Sequence, residues 1–151
     1  MSVTCQLVPL RHDEVQAVRS DPIAVGDLID WDEPSDRWVD LDQAWGGLVL
    51  AFEAHDRRDT TLLGALIPGP PLFDESEQGG QTIMLADADM VGAVADALER
   101  FDPAQLFPRR RSWRRRAPAM EPEYLADHLE VLLDCCRRAA ADGEAVAVVI
   151  G

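Results

Sequence analysis

Arg109, Arg110, Arg111, Trp113, Arg114, Arg115 and Arg116 stand within the eight residues RRRSWRRR, in a chain of 151 residues with a formal net charge of −14. Guanidinium groups pair carboxylates or phosphates through a fixed fork of donors, and an indole packs beneath a guanidinium or stacks on a base. The segment therefore suits an anion or nucleic-acid contact, or an electrostatic clasp on carboxylates of the chain itself or of a second copy. Without these six arginines, eight basic residues face 28 acidic ones, a balance of −20. So acidic a body repels nucleic acid and anionic membranes, which favours the clasp.

Trp31 and Trp38 lie in WDEPSDRWVD, an acidic segment with neither helical nor strand period. Loop tryptophans beside charge serve as interface anchors or cap the edge of a core. Around them crowd Asp27, Asp30, Asp32, Glu33, Asp36, Asp40 and Asp42. Paired carboxylates can hold a divalent cation or divide acid and base duty, but no calcium-loop pattern is present, so a solvated acidic rim is expected.

His12, His55 and His128 are far apart and fall in no metal-ligand spacing, and His128 among apolar neighbours reads as a hydrogen-bonded, partly buried histidine. Cys5, Cys135 and Cys136 make an odd number. The adjacent pair cannot bridge on a helix without distorting the intervening peptide, and free cysteines commonly fill cores. No phosphate-binding, dinucleotide or nucleophile-elbow motif occurs. Neither cofactor nor metal is expected, and no nucleophile is paired with a base.

The elements that must position these residues follow from periodicity. VTCQLVPL (3–10) reads as a strand, 11–20 as a short helix with Val15 and Val18 inward, and Asp21-Pro22 as the capped start of another running to Ile29. Residues 31–40 read as a loop. Leu41, Ala44, Trp45, Leu48, Val49 and Phe52 then keep helical spacing, with Asp40 and Gln43 placed as a capping box and Trp45 and Phe52 expected in the core. TLLGALIPGPPL (61–72) reads as a strand entering a turn, DESEQGG as a polar loop, and QTIML (81–85) as a strand. Asp87 caps a helix with Val91, Val94, Ala95 and Leu98 inward. Pro103, Pro108 and Pro118 make the arginine stretch a loop. Pro122 opens a long helix facing the core with Leu125, Leu129, Leu132, Cys136 and Ala139 and stopped by Gly143, before the buried strand AVAVVI.

At this length one domain is expected, α+β in class, with a small, largely antiparallel sheet packed against several helices. No signal-peptide pattern or membrane-spanning run is read, and the thiols suit a reducing cytosol, so a cytoplasmic protein without membrane contact is expected. All 14 basic residues are arginine, a compositional hint of a GC-rich bacterial source.

Four stretches in order, VDLDQAWGGLVLAF (39–52), LLGALIPGPPL (62–72), TIMLADADMVGAVADAL (82–98) and YLADHLEVLLDCCRRAAADGEAVAVVI (124–150), resemble the YfbM-like family of small bacterial proteins of unknown function. The resemblance implies one α+β domain over residues 1–151 and no borrowed activity. The family often carries a histidine after the tryptophan, where this chain has Gly46, and an acidic or neutral segment where this chain has RRRSWRRR. The function expected is a non-enzymatic protein-interaction or binding domain with an acidic surface, meeting a protein partner or a second copy. The alternatives are an anion or nucleic-acid binder working through Arg109–Arg116, and an enzyme with a pocket near Trp45 and the 68–80 loops.

Overall fold

A computed structural model of the chain describes residues 3–29, 38–55, 59–106 and 122–151. Arg109–Arg116 with Trp113, and Trp31, lie outside the described residues. The fold is α+β, built on an antiparallel sheet of β1 (Cys5–Leu10), β2 (Val39–Asp42), β3 (Phe73–Asp74), β4 (Thr82–Ala86) and β5 (Ala145–Ile150) in the order β2-β1-β5-β4-β3. Cys5 pairs with Ile150 and Leu10 with Ala145 across β1 and β5, and Thr82 with Ile150 across β4 and β5.

Alternation along the central strands separates two apolar layers. Leu7, Met84, Val146 and Val148 face one side with α2 (Ala44–His55), α3 (Ala88–Arg100) and α4 (Pro122–Ala141). Val8, Leu10, Ile83, Ala147 and Val149 face the other, under α1 (His12–Ser20) and the 3₁₀ helix Pro22–Leu28, through Val18 and Val25. Burial on both faces is why AVAVVI reads as a continuous apolar run.

α3 starts as its sequence predicts: the Asp87 carboxylate accepts from the Met90 amide at 2.8 Å, and Val91, Val94, Ala95 and Leu98 are buried. α4 buries Leu125, Leu129, Leu132, Cys135, Cys136 and Ala139, pairs Arg138 with Asp134 at 3.6 Å, and is followed by Gly143 at φ 66°. A left-handed residue there costs glycine nothing.

Five expectations are corrected. Residues 39–42 form an edge strand, and the helix starts at Ala44 instead of Asp40. Pairing of Cys5 with Asp42 and Gln6 with Asp40 makes Leu41 an inserted residue; this bulge turns its side chain into the core and leaves Asp42 at φ 48°. Leu41 thus mimics the helical period without being helical, and the Asp40 carboxylate accepts from the Asp42 amide at 2.8 Å rather than capping a helix. The apolar run 61–67 is a turn with the 3₁₀ helix Leu63–Ala65, burying Leu62, Ala65 and Leu66 at helical spacing; periodicity alone cannot separate so short an apolar run from a strand. The polar loop gives up Phe73–Asp74 and Ser76–Gln78 to a short strand and a 3₁₀ turn. Trp45 is half-buried, packed against the margin of the core rather than fully within it, with its indole N–H donating to the Leu66 carbonyl at 3.2 Å. Asp21 makes no side-chain cap, and the element after it is 3₁₀.

Candidate interaction surface

At the corner where β2 turns into α2, the Asp40 carboxylate also accepts from the Gln6 amide group at 3.2 Å. Asp42 follows, in a backbone region that costs most residues about 1–2 kcal/mol but that aspartate visits more readily. Its outward carboxylate accepts from the Tyr124 hydroxyl at 2.8 Å, and the Tyr124 hydroxyl oxygen in turn accepts from the Gln43 amide at 3.2 Å. One phenol from the first turn of α4 therefore satisfies an amide ahead of α2 and anchors a carboxylate. Burial, reinforced by the Asp42 hydrogen bond, holds the Tyr124 phenol above its ordinary range. His128, one turn on, packs its ring 4.3 Å from the Tyr124 ring, and its Nδ1 lies 2.7 Å from the Tyr124 carbonyl. The carbonyl only accepts, so Nδ1 carries the proton, in line with the partly buried histidine expected there.

Tyr124→Phe removes both hydrogen bonds at this latch and is expected to cost about 1–3 kcal/mol. Urea unfolding measures it; a midpoint equal to wild type would show that water replaces the phenol at no cost.

From this latch an acidic stripe runs along the exposed side of α4. Glu123, Asp127, Glu130 and Asp134 recur at intervals of four, three and four, so they share one face, with exposed Val131 among them. Arg138 pairs with Asp134, and Arg137 meets Glu99 at 2.8 Å, both at the far end of the helix. Among the described residues no cation pairs with Glu123, Asp127 or Glu130. Glu123 complements the helix dipole; Asp127 and Glu130 have no such role.

Trp38 packs half-buried against the layer under α1, as an edge cap does. All three thiols are buried and unbridged. Burial raises Cys135 and Cys136 from an ordinary 9.0 to about 12, and raises Cys5 further, so none is a ready nucleophile at neutral pH. Among the described residues no group of three or more His, Cys, Asp or Glu is placed to hold a metal ion, and no helix is long and apolar enough to cross a membrane.

Among the described residues two cavities open beside α3, neither lined by Trp45. One, about 110 Å³, lies among His55, Asp59, Arg100 and Phe101, with the His55 ring edge-on to Phe101 at 5.0 Å. Hydrogen bonds from the Thr61 hydroxyl and amide hold the Asp59 carboxyl below its usual range. The other is an open groove of about 350 Å³ between the 60–68 turn and α3. The latch and the two cavities were missed in the sequence, because Tyr124 and Asp42 stand 82 positions apart and nothing local couples them.

The fold is similar to the crystal structure of a protein of unknown function, YfbM from Escherichia coli, at 19% identity and a TM-score of 0.68, over 98% of this chain and 99% of that one. No curated protein sequence matches the chain. The family described as a domain of unknown function, DUF1877, matches residues 1–149, and the chain belongs to it.

Proposed function

We propose that the chain is a non-enzymatic protein-interaction domain whose acidic surface receives a basic protein segment. The observation that carries this reading is the stripe of Glu123, Asp127 and Glu130, exposed on α4, unpaired among the described residues, and held against β2 by the Tyr124 latch. Exposed carboxylates on one helix face beside one exposed apolar side chain, Val131, suit arginine or lysine side chains of a partner, steering encounter more than they deepen affinity. Trp31, Trp38 and Arg109–Arg116 belong to the same reading as interface residues, the arginines clasping carboxylates of this chain or of a second copy. Reduced, buried thiols favour a cytoplasmic setting.

A fluorescent arginine-rich peptide tests the reading at low salt. The triple variant Glu123→Gln, Asp127→Asn, Glu130→Gln is expected to bind it about tenfold more weakly while melting within about 2 °C of wild type. Peptide binding unchanged in that variant would remove the stripe from the interface. Sub-micromolar binding of an oligonucleotide, steep in salt and lost when all six arginines of 109–116 become glutamine, would replace the reading with nucleic-acid binding.

A further inference from the structure

The groove beside α3 is unused by the acidic stripe. Its floor is apolar, with Leu63 and Gly64 on one wall, Met90 and Val94 on the other, and exposed Ile67 and Ala93 at its two lips. Small side chains keep it open: a Cβ on Gly64 would stand 3.6 Å from Val94 Cγ2 and 3.9 Å from Met90 Sδ, and Ala93 contributes only a methyl group. Its volume of about 350 Å³ falls in the range of sites that enclose a ligand group.

The rim decides the occupant. Asp89 and Asp96 flank Ala93 one turn to either side on the same exposed face of α3, and among the described residues no cationic side chain lines the groove. Arg100 lies a further turn on and lines the smaller cavity instead. Carboxylates beside the Ala93 lip repel fatty acids and other anionic amphiphiles and attract cationic ones. We infer that this groove is the anchor site for a large apolar side chain carried by an arginine- or lysine-rich segment of a partner protein. Side chains buried at the centre of a patch with charges at its rim are the usual arrangement of an interface. The inference rests on the reading of a basic partner and adds where its apolar residue goes.

Two fluorescein-labelled peptides separate the two ideas: one with leucines at i, i+4 and i+7 among arginines, the other with serines in place of the leucines. Wild type is expected to bind the leucine peptide at least about tenfold tighter than the serine peptide. Ala93→Glu, at an exposed helical position, makes the surface more acidic yet obstructs the groove, so it should retain serine-peptide binding and lose the preference for leucine. Ile67→Glu, on the opposite lip, should do the same. Asp89→Asn with Asp96→Asn should weaken both peptides and flatten their salt dependence. A leucine preference absent from wild type, or persisting in both glutamate variants, overturns the anchor site while serine-peptide binding leaves the acidic-surface reading standing. Failure of both peptides to bind at low salt overturns both. A wild-type dimer that Ala93→Glu converts to monomer assigns the groove to a second copy and overturns the partner peptide.

Discussion

Phe52→Ala is expected to destabilise the protein by about 3–5 kcal/mol, lowering its melting temperature by about 6–20 °C for a chain of this size. Phe52 is 2% exposed, in the layer where α2 meets the helices on the same side of the sheet. Its ring meets Phe101 edge to face, at 5.3 Å between centroids and 80° between planes. Truncation leaves a void under α2 and strips Phe101 of a partner worth about 0.5–1.5 kcal/mol beyond its buried area. Since small domains hold only about 5–15 kcal/mol in all, the variant should be folded at 25 °C but marginal. Trp45→Ala should cost less, because that indole is half-buried. Thermal melts of the two variants side by side check the ranking, and a Phe52→Ala protein melting with wild type would place α2 outside the core.

Alkaline solution should destabilise the protein through its thiols. Burial raises the folded-state values of Cys135 and Cys136 to about 12, while the unfolded chain ionises them near 9.0. The stability this confers is fully present below pH 9 and is lost as pH climbs toward 12, because the unfolded state releases protons that the folded state retains. Each thiol contributes a slope of up to about 1.4 kcal/mol per pH unit, so the pair should remove about 3 kcal/mol by pH 10. Urea midpoints at pH 8, 9 and 10 measure it, with Cys135→Ala/Cys136→Ala as the reference: that variant starts less stable yet should decline less steeply. Parallel declines would show that these thiols reach solvent in the folded protein.

The parts of the fold legible in the sequence are those whose local signals agree with their tertiary surroundings. Asp87 is both a good cap and an actual one, and Val91, Val94, Ala95 and Leu98 keep helical spacing because one side of α3 is covered. β5 is apolar throughout because both its faces are covered. β2 was illegible for the opposite reason: it is four residues long, buries Leu41 alone, and holds its place through a bulge and through Tyr124, far along the chain. The net negative charge was legible from composition, but not the row of Glu123, Asp127 and Glu130 on one exposed face of α4. The carboxylates singled out in the sequence were those of 27–42, whereas Glu123, Asp127 and Glu130 pass unnoticed in a helix read for its apolar positions.

The position of β5 carries a cost during synthesis. β1 and β4 meet only through it, so a nascent chain holds Leu7, Val8 and Ile83 on strands without their shared neighbour until residues 145–150 have left the ribosome. Pairing partners separated by nearly the whole chain form late and slowly, and unpaired apolar strands meanwhile associate with one another. Translation that stalls in α4 therefore yields a polypeptide with most of its helices and two strand pairs, β1 with β2 and β3 with β4, that nothing joins into one sheet, a natural client for chaperones and proteases.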